Sequence, residues 1–149
     1  MSRGEISSDA TRTGLCRSQL KIEREIMPIL DIEIVMRDGE TLPPGFAKLM
    51  AKRAGDVLHS APGNTWVKVR QISPDCYAEN DNGASDAPAP VFVSILKGKM
   101  PPVDELEREI IALTNATAEL CHRPADNVHF IYLPEGKGRI AFGGKLLKR

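Results

Sequence analysis

The chain is short of the features that carry most common enzyme chemistries. Its three cysteines, Cys16, Cys76 and Cys121, are widely spaced with no CxxC pair. That argues against a disulfide framework or a zinc site and favours a reducing compartment. Three histidines, His59, His122 and His129, show no HExxH or similar ligand spacing, so no metal is expected. Phosphate-binding glycine loops are missing too, because GKGR and FGG lack the required order and spacing. No apolar run approaches the ~20 residues of a membrane-spanning helix. Twenty basic residues balance twenty acidic ones, so no charge excess points to nucleic acid or an anionic membrane. Residues 1–26 are polar, with no apolar core for a secretory signal, and Glu5, Asp9, Glu23 and Glu25 count against an organelle transit peptide. Together these absences predict a cytoplasmic protein.

What is present is ordinary for one globular domain: 149 residues, 42% hydrophobic and 27% charged. From Leu30 to Ile34 apolar and acidic residues alternate, the period of a half-buried strand. MRDGET then turns the chain into a helix with Pro43 and Pro44 in its opening turn. Phe46, Leu49, Met50, Ala54, Val57, Leu58 and Ala61 give that helix one apolar stripe, and Ala61-Pro62-Gly63 stops it. TWVKVRQI, residues 65–72, alternates again and predicts a second strand.

After a loop of turn residues the same order recurs. VFVSILKGK, residues 91–99, reads as a strand. Val103, Leu106, Ile110, Leu113, Thr117 and Leu120 share a helix face behind Pro101 and Pro102. The acidic run from Asp104 to Glu109 reads as a solvated face, and NVHFIYL, residues 127–133, as the closing strand. An offset of 61 lays Ile32 on Val93, Ile34 on Ile95 and Val67 on Val128, a duplication of pattern more than of identity. The predicted fold is therefore α/β (α+β): two tandem β-α-β units forming a four-stranded sheet, both helices on one face. Apolar residues on both faces of the strands predict that neighbouring subunits cover the other face. GRIAFGGKLL predicts a terminal hairpin able to add to a neighbour's sheet edge.

The order MPILDIEIV, LPPGFAKL, VFVSILKGK, GRIAFGGKLL resembles the tautomerase superfamily over residues 28–149. LPPGFAKL is similar to a stretch of 5-carboxymethyl-2-hydroxymuconate isomerase and macrophage migration inhibitory factor, and RIAFGGKLL to the hairpin of 4-oxalocrotonate tautomerase. The resemblance implies a cofactor-independent tautomerase or isomerase that moves a proton on an enol or 2-oxo acid. It implies homotrimers, and a catalytic base that is the proline exposed when the initiator methionine is removed. Pro28, directly after Met27, is the matching position. A free α-amino group titrates at roughly 7.7–8.0, near the pH where proton transfer is wanted. The reading of Pro28 from pattern alone is a strand-starting proline.

The domain is accordingly expected to run over 28–149, as units 28–88 and 89–149, with 1–27 a disordered extension or a segment upstream of translation at Met27. The codons for Glu23-Arg24-Glu25 can read GAGAGGGAG, a purine-rich run suited to ribosome binding. Lys68 and Arg70 share a strand face and match carboxylate-binding positions, although Lys68 stands where the tautomerase pattern has arginine. His129 holds the equivalent of Lys68 in the second unit and matches a pocket-lining tyrosine. A solvated edge face, and a half-buried structural histidine, are the alternatives for these three. Trp66 is expected at a subunit boundary. Two other functions fit the chain: hydratase, dehalogenase or decarboxylase chemistry at the same site, and a non-catalytic oligomeric binding protein if Pro28 is never a free terminus.

Overall fold

A computed structural model describes residues 27–80 and 89–148. Residues 1–26, which hold most of the expected upstream segment, lie outside the described residues, as do 81–88 and 149. The elements are β1 (Ile29–Val35), α1 (Phe46–Val57), β2 (Trp66–Ile72), β3 (Val91–Leu96), α2 (Val103–Cys121), β4 (Val128–Tyr132), β5 (Ala141–Phe142) and β6 (Lys145–Leu146). Strand order is β2-β1-β3-β4, with β1∥β2 and β3∥β4 parallel and the central β1–β3 pair antiparallel. The two units match: parallel partners lie 37 residues apart in each, Leu30 with Val67 and Val91 with Val128.

Alternation along the strands sorts the side chains. Leu30, Ile32, Ile34, Val91, Val93 and Ile95 are buried to the last per cent and face the helices. Phe46, Met50 and Ala54 of α1, together with Leu113, Ala118 and Cys121 of α2, close the same cluster. Asp31, Glu33, Lys68, Arg70, Phe92 and His129 alternate with that set and occupy the opposite face. That face is thus mixed polar and apolar.

Both helices are shorter on their buried faces than the apolar spacing implies. Helix α1 starts at Phe46, after Pro43 and Pro44, with Gly45 at φ 77° as its N-cap. The prolines make the turn before the helix, whose amides at Phe46 and Leu49 bond to the Pro43 and Gly45 carbonyls. It ends at Val57, with Leu58 as cap, before the Ala61-Pro62-Gly63 stop, and Leu49 is 47% exposed. In α2 burial is confined to Leu113 and beyond; Val103 is exposed.

Arg123 ties the two units together at one end of the sheet. Its guanidinium is buried and donates to the Ala89, Cys121 and Val35 carbonyls at 2.7, 2.9 and 3.0 Å. It also grips both oxygens of Glu40. Arg123 holds the Glu40 carboxyl below the usual range, against desolvation, and the Arg37 amide adds to the lowering.

Two stability outcomes follow from this packing. Ile32→Ala should cost about 2–5 kcal/mol in urea unfolding, while Leu49→Ala should stay within about 0.5 kcal/mol. Because the folded Glu40 pKa is depressed, its contribution is full above the ordinary value near 4.3 and is lost as pH falls through the lower folded value. The gap in urea midpoint between the parent and Glu40→Gln should therefore narrow from about pH 7 to about pH 3.5; a constant gap would show that ionisation of Glu40 is not what stabilises.

Candidate active site

Pro28 lies at the N-terminal end of β1 and is fully buried. Its carbonyl accepts from the Trp66 amide at 3.0 Å, which continues the parallel β1–β2 register one step below Ile29–Trp66. Thr65, beside Pro28 in that extension, has a buried hydroxyl with no hydrogen-bond partner among the described residues. With Met27 attached, the Pro28 nitrogen is a tertiary amide and has no basicity.

The sequence-assigned cations lie up the sheet from that point. By strand rise, Lys68 is about 10 Å and Arg70 about 17 Å along β2 from the level of Pro28. Each is paired across to β1: Lys68 Nζ to Asp31 at 3.0 Å and Arg70 Nε to Glu33 at 3.8 Å, both cations more than 60% exposed. Pairs this open are worth little in stability. His129 is exposed on β4, tilted against Phe92 with ring centroids 5.4 Å apart. Glu33, Phe92 and His129 share one row with Arg70, but β2 and β4 are the two edges, so roughly 14 Å separates those two strands. Within one protomer, then, Lys68, Arg70 and His129 share the open face without converging on Pro28.

The groups that do gather at the Pro28 end are others. Trp66 and Phe142 meet edge-on, 5.4 Å between centroids at 86°, and the indole N–H donates to the Gly63 carbonyl at 3.1 Å. Trp66 therefore packs on this chain's own hairpin while remaining 44% exposed. The hairpin folds back because Gly143 and Gly144, at φ 57° and 82°, form a two-residue turn with positive φ at both positions, which glycine adopts without strain. It stands as a separate two-stranded sheet, with Lys145 across from Phe142. Met27, Trp66, Phe142, Gly143 and Lys145 line a cleft of about 320 Å³.

A second cluster lies on the helix side of the same sheet end. Lys97, the residue after Leu96 and so one register step from Pro28's neighbour Ile29, pairs with Glu109 of α2 at 2.7 Å; their side chains are 8% and 15% exposed. The Tyr132 hydroxyl donates to the other Glu109 oxygen at 2.8 Å, and burial followed by that carboxylate raises the Tyr132 pKa strongly. Glu109 thus departs from the expected solvated acidic face. The only sequence sign was that Lys97 follows directly on a strand whose every second residue is buried.

Removing one partner of a buried pair leaves the other charge uncompensated. Glu109→Leu alone should destabilise by about 3–5 kcal/mol in urea unfolding, and adding Lys97→Met should recover most of the loss. A double variant no more stable than the single would show that the pair is not coupled.

No family model matches the sequence, and no curated protein matches it. Solved structures do. The Pt0534 protein inactivated by 2-oxo-3-pentynoate superposes with a TM-score of 0.63 at 17% identity, covering 80% of this chain and 95% of that one. A fused 4-oxalocrotonate tautomerase, a symmetric trimer, gives 0.63 at 14% identity over 80% and 94%. Malonate semialdehyde decarboxylase, studied for its decarboxylase and hydratase activities, gives 0.57 at 17% over 77% and 90%. The doubled β-α-β sheet with its paired helices and terminal hairpin is the fold of the tautomerase superfamily.

Proposed function

We propose that the chain is a cofactor-independent tautomerase acting on an enol or 2-oxo acid, with Pro28 as its base once Met27 is gone. The observation that carries this reading is the placement of Pro28. It is buried at the end of a central strand, and Met27, bonded to its nitrogen, lines a cleft with Trp66, Phe142 and Lys145. Burial disfavours the charged ammonium and so lowers an amine's pKa towards neutrality, where a base is most effective. In the enol-to-keto direction the neutral nitrogen takes the hydroxyl proton and the prolinium returns a proton to carbon. The double bond moves from C=C to C=O and nothing else is consumed. That a structural neighbour is inactivated by a 2-oxo acid fits the same substrate class.

Lys68 and Arg70 remain the proposed carboxylate holders of the open face, and His129 the hydrogen-bond donor there. Each is too far from its own Pro28, so they serve a site only across a subunit boundary. A homotrimer would supply such boundaries and cover the open sheet face; the fused tautomerase neighbour is a symmetric trimer. To bind substrate, Lys68 must exchange Asp31 for the substrate carboxylate, an exchange made cheap by its exposure.

The test compares two proteins, one beginning at Pro28 and one retaining Met27, in phenylpyruvate enol–keto interconversion. The first should be active, and the second, like Pro28→Ala in the short chain, should lose at least about a hundredfold in kcat/KM, the scale of general-base catalysis. Equal activity in Pro28→Ala would sink the proposal. Inactivity of a well-folded chain beginning at Pro28 would leave a binding protein of this fold.

A further inference from the structure

Pro28 is flanked on its helix-facing side by two side chains, one from each neighbouring strand. The pairing of Ile29 with Trp66 and with Leu96 sets Thr65 and Lys97 beside it. Lys97 is a donor only, and its ammonium is taken by Glu109 at 2.7 Å. Both Glu109 oxygens are engaged in turn, by Lys97 and by the Tyr132 hydroxyl. Thr65 is different. Its hydroxyl is buried and has no hydrogen-bond partner among the described residues.

Helix α1 shows where that hydroxyl faces. A Cβ added to Gly55 would stand 3.6 Å from the Thr65 Oγ1 and 3.8 Å from its Cβ, so the side chain points into the helix layer. The Pro28 ring, fully buried, lies in the same layer. Neighbouring strands stand ~4.8 Å apart, a span that a side-chain hydroxyl crosses to within hydrogen-bond distance. The Trp66 amide on the Pro28 carbonyl, at 3.0 Å, fixes the two strands at this point. Burying an unpaired hydroxyl costs stability that a valine of the same shape would not. With Met27 attached, the Pro28 nitrogen has no hydrogen to give Thr65. Freed, it is a secondary amine, and its protonated form carries two N–H groups.

Resting on the reading of Pro28 as the base, we propose that Thr65 is a positioning residue whose hydroxyl accepts one N–H of the protonated Pro28. The N–H tied to Thr65 stays in place through the reaction. The lone pair on the substrate side takes the enol hydroxyl proton, and that same side gives a proton to carbon as C=O replaces C=C. The nitrogen ends as the neutral amine, and Thr65 neither gains nor loses a proton.

The experiment reads the amine itself, so it does not depend on turnover. All described elements begin at or after Ile29, so the chain beginning at Pro28 keeps them all. Its Pro28 nitrogen is isotopically labelled and followed by NMR as pH is raised. A hydrogen bond to the charged form favours that form. Thr65→Val should therefore lower the amine pKa by about one unit, and the acidic limb of kcat/KM for phenylpyruvate should move down with it. Thr65→Ser should restore the parent titration. Ser60→Ala, which removes the other buried hydroxyl without a partner among the described residues, should leave it unchanged. The titratable groups at this end are Lys97, Glu109 and Tyr132, Lys145 of the hairpin, and the exposed Asp56 and His59 near the end of α1. They are the same in every variant, so a difference in titration reports the hydroxyl. In the chain retaining Met27, Thr65→Val should leave the urea midpoint unchanged or raised. A parent-like titration in Thr65→Val, a shift that Thr65→Ser does not reverse or that Ser60→Ala reproduces, or a lowered urea midpoint in the Met27 chain would overturn the proposal. A Thr65-dependent titration without turnover would uphold the contact and remove only the reading of Pro28 as base.

Discussion

Everything in this fold hangs on β1, a central strand whose alternating side chains must satisfy two different surroundings at once. Leu30, Ile32 and Ile34 go into the layer beneath the helices, and Asp31 and Glu33 go to the open face. Pairing to β2 and β3 on either side then sets the rows: Lys68 opposite Asp31, Arg70 opposite Glu33, Val93 opposite Ile32. A slip of one residue would put two carboxylates into the core, where an unpaired charge is far too costly to keep. Register is thus dictated by desolvation, and the ion pairs of the open face follow from register.

The same strand ends in the group with the most chemical interest. Pro28 lies where the alternating layer closes, between a Thr65 hydroxyl with no hydrogen-bond partner among the described residues on one side and Lys97 on the other. A main-chain nitrogen at such a point is inert as an amide and basic as an amine. In the proposed reading, chemistry at this point turns on one covalent bond, the one between Met27 and Pro28. The Lys97–Glu109–Tyr132 cluster and the folded-back hairpin hold the surroundings of that nitrogen on both faces.

Local patterns were informative wherever one surface decided the burial. Alternation located all four sheet strands, and the offset of 61 residues anticipated the match between halves that the register shows. Helix limits were less legible, because Pro43, Pro44 and Gly45 act as a preceding turn and because α2 reaches beyond the sheet, leaving Val103 in solvent. Side chains that owe their surroundings to a distant element were not legible at all. Arg123 reads as an ordinary loop arginine until Val35, Ala89 and Glu40 converge on it. Glu109 reads as one acid among several until Lys97 and Tyr132 meet it.

The candidate site divides along the same line. That Pro28 follows Met27 at the head of an alternating strand is a fact of the chain's order. Together with the order of the other strand, helix and hairpin segments it pointed to the fold, and it made Pro28 the expected base. That Lys68 and Arg70 face acidic partners, and that Lys145 and Phe142 come to the Met27 end, is settled only by tertiary contacts. Periodicity is a property of neighbouring residues and survives in the sequence. The pairing of a cation depends on which strand or hairpin arrives beside it, and the packing of the whole chain decides that.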